Sequence, residues 1–296
     1  MFDLRRLRLL HELSVRGTLA AVADALSYSP STISQQLAQL EREAGVALLE
    51  PDGRRVRLTA QGEALAAHAA RMLAADEQVR SELERMQPSL APVRIAAMQS
   101  ATHGLVPRAL SILAEDEPGL RIEVAELAPE AGLFELAARG FDLVVAEQYP
   151  GHTREHREGL ERTLLGHDAI RLALAPDDPA TGLGMLRNRP WVMEPEGTAA
   201  RQWATQQCRA AGFDPDVRFE LADLTAHVRL VASGHAVSLL PDLVFAGDPP
   251  PVRLVDLVGA PRRDVFTAVR VGSSARPGIR AVQSALQQAF DEVGEG

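Results

Sequence analysis

The sequence predicts a multidomain α/β chain: a small helical domain with a two-stranded wing, one long helix, and two α/β lobes. Three patterns carry this expectation. Apolar residues recur at helical spacing in three short segments before residue 45. A Pro51-Asp52-Gly53 turn then separates two short extended stretches, and beyond residue 90 strand-like runs alternate with helix-like ones. A length of 296 residues with 46% hydrophobic content suits two or three domains. No apolar run approaches a membrane span. The start, Met1-Phe2-Asp3-Leu4-Arg5-Arg6, has no apolar export segment behind it, so a cytoplasmic protein is expected. Cys208, the one cysteine, cannot close an intramolecular disulfide, which agrees with a reducing compartment.

The net charge of −9 speaks against nucleic acid until it is divided along the chain. Residues 1–62 carry 8 arginines and 7 acids, and the remaining 23 arginines face 33 acids, so the acidic excess lies outside the N-terminal segment. All 31 basic residues are arginine, a pattern that with abundant alanine reflects genomic composition. Affinity for phosphate depends on where cations sit rather than on their total.

Leu4, Leu7 and Leu10, with Leu13 and Val15 behind them, mark a first helix that Gly17 ends. Thr18 caps a second, alanine-rich helix with Leu19, Val22 and Leu26 inward. Ser29-Pro30 opens a third, serine as cap and proline in the first turn. Ile33, Leu37, Leu40 and Ala44 form its apolar face, and Ser31, Thr32, Ser34, Gln35, Gln36 and Gln39 its polar one. Glutamine can grip an adenine edge with two hydrogen bonds, and serine or threonine serves bases or phosphates. Orphan N–H groups at the helix start favour a phosphate oxygen. A solvated surface would look the same; the order of elements decides. Two short helices, a third with an uncharged polar face, and a wing bearing Arg54, Arg55 and Arg57 describe a winged helix-turn-helix. The candidate DNA contacts are Thr18, Ser29, that polar face and the three wing arginines.

The stretch Gly17-Thr18-Leu19-Ala20-Ala21-Val22-Ala23, Leu26-Ser27-Tyr28-Ser29 and Ser34-Gln35-Gln36-Leu37-Ala38-Gln39-Leu40-Glu41 resembles the LysR-type transcriptional regulators. So does Gly45-Val46-Ala47-Leu48-Leu49 followed by Gly53-Arg54-Arg55-Val56-Arg57-Leu58-Thr59-Ala60-Gln61-Gly62. The likeness covers about sixty residues without a gap. Leu19 and Leu49 stand where the family usually has phenylalanine, and Leu49-Glu50-Pro51 replaces its Phe-Glu-Arg, which removes one candidate phosphate contact.

Thr59 can cap a long helix to about Met86, ended by Pro88. Leu65, Ala69, Met72, Val79, Leu83 and Met86 alternate steps of four and three, with Asp76 interrupting the series. The spacing allows either a helix lying on its own domain or a seam between subunits. The resemblance implies the seam, with two linker helices antiparallel in a homodimer, and commonly a tetramer.

Strand-like runs fall near 93–98, 120–127, 141–147, 170–175, 191–194, 217–221, 236–240 and 265–271. Helix-like ones fall near 105–115 and 131–139, from Thr198, from Asp223, and at 279–293. Two such lobes with chain crossings between them resemble the same family's effector domain, which shares its fold with periplasmic solute-binding proteins. The expected division is a DNA-binding domain over 1–58, a linker helix over 59–88 and an effector domain over 89–296. Lobe I would span about 89–162 plus 268–296, and lobe II about 163–267.

Ligands of open α/β folds lie beyond the carboxyl ends of the strands, often at helix starts. That rule selects Ser100, Thr102, Glu147, Gly197 and Thr198 as candidate effector contacts; a helix cap explains Thr198 equally well. Gly234-His235-Ala236-Val237 resembles the family's glycine-rich turn, with Ala236 where a glycine is common. Helix dipoles near Thr102 and Thr198, with Arg201 near enough to add a positive charge if it turns inward, point to a small polar anionic or zwitterionic metabolite. Glu147 opposes a bare carboxylate.

Other chemistry is poorly supplied. His152 and His156, near Glu155 and Glu158, have metal-ligand spacing but sit between Gly151 and Gly159 in an expected loop. No nucleophile elbow, nucleotide loop or dinucleotide turn is present, so no catalysis and no cofactor are expected. The implied partners are double-stranded DNA at an interrupted palindrome, the metabolite, a second copy of the chain and RNA polymerase, with no membrane. The alternatives are a DNA-bound regulator without a ligand and a cytoplasmic metabolite-binding protein or enzyme.

Overall fold

Local capping fixes the N-terminal helices. Asp3 caps α1 (Leu4–Arg16) by accepting from the Arg5 N–H, and Gly17 ends it at φ 74°. Thr18 starts α2 (Leu19–Leu26) by accepting from the Ala21 N–H at 3.2 Å. Ser29 accepts from the Thr32 N–H to open α3 (Pro30–Ala44), with Pro30 in the first turn and Gly45 closing at φ 72°. Leu7, Leu10, Val22, Ile33, Leu37 and Leu40 share one core. The wing is an antiparallel hairpin of β1 (Leu49–Asp52) and β2 (Arg55–Leu58). One Glu41 oxygen accepts from the Leu48 and Leu49 N–H groups at 2.9 and 3.1 Å, tying the wing to α3. The structure is a computed structural model and describes residues 2–26, 28–53, 55–86, 91–152, 159–246 and 248–294.

Thr59 caps α4 (Ala60–Glu84) through the Gly62 N–H. A Cβ at Gly62 would lie 2.1 Å from the Leu48 carbonyl oxygen, so this helix start reaches the base of the wing only with glycine. α4 has two stripes. Ala66, Ala69 and Leu73 are buried inward, and the same side continues as Glu77, Ser81 and Glu84 against the C-terminal region. Met72, Val79, Leu83 and Met86 are exposed on the other side. Ala69 is thus corrected from the outward seam to the inward stripe, because α1 packs closely along this part of α4.

Lobe I contains β3 (Val93–Ala97), α5 (Gln99–Gly104), α6 (Val106–Asp116), β4 (Ile122–Glu126), α7 (Pro129–Ala137) and β5 (Leu143–Gln148). β3 lies between β4 and β5, parallel to both. The long β6 (Leu160–Leu174) then runs out of lobe I into lobe II. Lobe II holds β7 (Pro190–Met193), α8 (Ala199–Ala210), β8 (Asp216–Glu220), α9 (Leu224–Ala232), β9 (Ser238–Pro241) and β10 (Arg253–Val255). β11 (Arg262–Arg270) returns to lobe I and leads to α10 (Pro277–Gly294). β11 lies antiparallel between β5 and the first part of β6, whose second part pairs with β9 and β10. α6 and α10 cover one face of the lobe I sheet and α7 the other; α8 and α9 do the same for lobe II.

Two expectations are corrected here. β6 keeps its pairing with β11 as far as Ala169 opposite Arg262. The chain therefore crosses between lobes several residues beyond the expected 162/163 and before the expected 267/268. The strand is continuous through the crossing, so no turn residue marks it. The segment after β3 is the short helix α5.

Gly62→Ala should destabilise the protein by about 1–3 kcal/mol in urea unfolding, the usual cost of overpacking. Gly119→Ala, where a Cβ meets nothing within 4 Å, should change stability little.

Candidate DNA-binding surface and ligand cleft

On α3, Ser31, Ser34 and Gln35 are exposed, while Thr32, Gln36 and Gln39 are half-buried. The Ser29 hydroxyl lies 2.8 Å from those of Ser31 and Thr32, a cluster of hydroxyls over the orphan N–H groups of the helix start. Gln36 Oε1 accepts from Arg6 Nε at 3.1 Å, and Gln39 Oε1 accepts from Arg42 Nε at 3.0 Å. Gln35 is the glutamine without such a tie among the described residues. Thr18 is half-buried at the start of α2, with its hydroxyl engaged as cap.

Arg57 pairs across the wing with Glu50 at 2.6 Å, whereas Arg55 is exposed with no ion pair among the described residues. Arg54 lies outside those residues. Tyr28, exposed just before α3, was not among the sequence candidates. It adds an exposed phenol beside the start of that helix.

The second site lies between the lobes. A cavity of about 210 Å³ is lined from lobe I by Gln99, Ser100, Glu126, Glu130, Glu147 and Arg263, and from lobe II by Glu194, Thr198 and Leu224. Glu126 ends β4, Glu147 lies next to the end of β5, and Glu194 follows β7. The ends of the parallel strands thus bring three carboxylates to one place.

Arg263, 3% exposed, forms the floor. Its Nε donates to Asp168 at 2.9 Å and its Nη2 to Ser100 Oγ at 2.6 Å. Glu147 is 3.9 Å away, and the Tyr149 ring centroid lies 6.0 Å from the guanidinium carbon. Gln99 spans the lobes: its Oε1 accepts from the Leu224 N–H at 2.7 Å, and its Nε2 donates to Asp223 at 3.2 Å.

The Thr198 hydroxyl caps α8 by accepting from the Arg201 N–H at 3.2 Å and donates its proton to the Pro195 carbonyl at 3.0 Å. Of the five effector candidates, the structure brings Ser100, Glu147 and Thr198 to the cavity. Thr102 and Gly197 do not line it: the Thr102 hydroxyl donates to the Gln99 carbonyl at 2.7 Å and also reaches the cavity-lining Glu126 at 3.1 Å from behind, and Gly197 is exposed at φ 91°. The expected inward turn of Arg201 is also corrected. Arg201 Nη1 donates to the Glu194 carbonyl at 3.0 Å and lies 3.6 Å from Glu220, and the side chain does not line the cavity.

Glu126, Glu130, Glu194 and Arg263 escaped the sequence reading. The carboxyl-end rule that selected Glu147 reaches Glu126 and Glu194 equally. Arg263 had only the weaker signal of a cation entering an apolar strand.

Burial, with Glu147 and Glu130 opposite, pushes the Glu194 carboxyl up to about 7. Cys208 is buried in α8, and desolvation, with Asp214 nearby, pushes its thiol up to about 12. Among the described residues no three His, Cys, Asp or Glu side chains are placed to hold a metal ion; His156, Glu155 and Glu158 lie outside them. Nor is any described helix long and apolar enough to cross a membrane.

Two family models match the chain. The bacterial regulatory helix-turn-helix protein, lysR family, covers residues 4–63, and the LysR substrate binding domain covers residues 87–291. The transcriptional dual regulator GltC of Bacillus subtilis is 29% identical over 254 residues, 84% of this chain and 83% of that protein. A probable hydrogen peroxide-inducible genes activator of Mycobacterium avium is 32% identical over 233 residues, 75% of this chain and 72% of that one. A full-length OxyR variant of Pseudomonas aeruginosa has the same fold, with a TM-score of 0.68 at 21% identity, over 98% of this chain and 95% of its own.

An acid whose folded pKa lies above its unfolded value loses stability as pH rises between the two. Glu194 should therefore make the fold less stable from about pH 4.5 to about pH 7. Glu194→Gln should flatten that part of the stability profile and raise Tm above the crossover, as measured by thermal unfolding at a series of pH values.

Proposed function

Because the chain belongs to the LysR family of DNA-binding transcription regulators, whose C-terminal domain binds effectors, we propose that it reads an interrupted palindrome as a homodimer under control of a small polar metabolite. The observation that carries the DNA half is α3. Its exposed Ser31, Ser34 and Gln35 are uncharged and face away from the core, while the hydroxyl cluster of Ser29, Ser31 and Thr32 and the wing Arg55 flank them for phosphate. Gln36 and Gln39 support that face through Arg6 and Arg42, and Thr18 anchors α2 beside it. The family is one of regulators rather than enzymes. A regulator of bacterial DNA works in the cytoplasm, with RNA polymerase as its partner at a promoter.

The outward stripe of α4 supports the dimer. Met72, Val79, Leu83 and Met86 are exposed along one helix face, apolar area that a second α4 laid antiparallel would bury. The cavity between the lobes supports the ligand. The response to hydrogen peroxide in the name of the M. avium relative is not proposed for Cys208 of this chain. A buried thiol raised to about 12 supplies no thiolate at neutral pH.

Gln35→Ala should relax discrimination at particular base pairs by about 1–3 kcal/mol. Arg55→Ala should weaken binding to all sequences and lower the salt slope by about one. Equal losses on operator and random DNA for Gln35→Ala in anisotropy titrations would end the base-reading assignment. Val79→Glu should leave the winged helix folded by circular dichroism but shift the protein toward monomer in light scattering. An unchanged oligomer would remove α4 as the seam.

A further inference from the structure

Gln35, Gln36 and Gln39 share the polar side of α3, but they are held differently, and the holding sorts what each can offer to DNA. A guanidinium carries donors and no acceptor, so a carboxamide that meets one must present its oxygen to it. Arg6 on α1 meets Gln36 in this way, its Nε donating to Gln36 Oε1 at 3.1 Å. Glu43 on α3 holds Arg6 in place by pairing with its Nη1, and the two side chains are only 24% and 25% exposed.

Gln39 is tied at both ends. Its Oε1 accepts from Arg42 Nε at 3.0 Å, and its Nε2 donates to Glu43 at 3.3 Å. Gln35 is exposed, with no hydrogen bond at either end among the described residues. Gln36 lies between these cases. Its Nε2 has no hydrogen bond among the described residues and is not buried, so its N–H groups open to solvent while its oxygen is engaged.

We infer that Arg6 determines specificity without touching a base: by turning the Gln36 oxygen toward α1, it leaves Gln36 as a donor that selects guanine rather than adenine. The inference rests on the reading of α3 as the helix that contacts bases. In the major groove an adenine edge offers one acceptor beside one donor, and the two-bond grip of glutamine on it needs the amide oxygen as well as the amide N–H. A guanine edge offers two acceptors, N7 and O6, and no donor. The Gln36 oxygen keeps a second lone pair, but Arg6 fixes the rotation of the amide, so adenine would have to fit both its atoms to a group that cannot turn to meet them. Gln35, free at both ends, keeps the adenine grip, and Gln39 keeps neither end and serves to hold Glu43.

The competing role for an arginine here is a phosphate contact. Arg6 is paired with Glu43 and partly buried, whereas Arg55 on the wing is exposed with no ion pair among the described residues. Phosphate therefore falls to Arg55 and orientation to Arg6.

The test selects bound sequences from random duplexes with the full-length chain and with Gln35→Ala, Gln36→Ala, Gln39→Ala, Arg6→Met and Arg6→Lys. In the wild type one position of each half-site should favour guanine over adenine about fivefold or more, and Gln36→Ala should lose that preference. Gln35→Ala should remove an adenine preference at a different position, and Gln39→Ala should leave both in place. Arg6→Met, which keeps the reach of the side chain without a donor, should move the Gln36 position from guanine to adenine. Arg6→Lys, which restores a donor, should keep guanine there. Circular dichroism checks that the variants fold; if Arg6→Met does not, the wild-type base at the Gln36 position decides by itself. Adenine at that position in the wild type, guanine unchanged in Arg6→Met, or no preference lost in Gln36→Ala while Gln35→Ala loses one, overturns the inference and keeps α3 as the reading helix. A uniform loss in Arg6→Met with a salt slope lower by about one makes Arg6 a phosphate contact and also overturns it. Base preferences unchanged in all three glutamine variants overturn the reading of α3 along with the inference.

Discussion

A guanidinium buried between two lobes has to be paired, and the pairing of Arg263 holds the C-terminal region in its shape. Its partners come from separate parts of the chain: Asp168 on β6, Ser100 at the start of α5 and, farther off, Glu147 on β5. Asp168 also accepts from the Leu243 N–H at 3.0 Å, which ties the turn after β9 to the same point. Removing one partner would strand a charge in a poorly solvated place, a cost of several kcal/mol. The crossing strands are therefore pinned where they pass between lobes, and the carboxyl ends of β4, β5 and β7 open onto a common cavity because of it.

A second set of charges connects lobe I to the DNA-binding half. Glu77 on α4 accepts from Arg270 at 2.8 Å and from Arg139 at 2.6 Å, and Glu84 accepts from Arg276 at 2.9 Å. Arg16 at the end of α1 grips Glu135 on α7 with two bonds of 2.8 and 2.9 Å and reaches the buried Glu12 as well; the Arg16 guanidinium holds the Glu135 carboxyl below its usual range. Close backbone approach accompanies the charges, since a Cβ at Gly272 would meet the Ala74 carbonyl oxygen at 2.9 Å. α4 therefore serves two interfaces at once, arginines of its own chain on one side and an exposed apolar stripe on the other.

Much of this was legible in the sequence wherever the determinant is local. Caps are local: Thr18, Ser29, Thr59, Thr198 and Asp223 start their helices as read, and Gly17 and Gly45 end theirs. The apolar face of α3 was likewise legible. What escaped is nonlocal. Arg263 finds Asp168 across 95 positions and Ser100 across 163, and no spacing rule spans such gaps. The lobe crossing escaped because β6 changes partners without changing conformation. Ala69 was assigned to the outward face because the heptad pattern cannot say which of two neighbours, α1 or a second subunit, covers a small residue.

Two copies joined along α4 would present two α3 helices to one DNA duplex, a symmetry that a bound sequence must mirror. Genome-wide mapping of the DNA bound by this protein in its own host tests that most directly. Discrete sites sharing one interrupted palindrome, with half-sites a whole number of helical turns apart, are the expected result. Binding spread over the genome without a shared sequence, or sites with a single unpaired half, would contradict it.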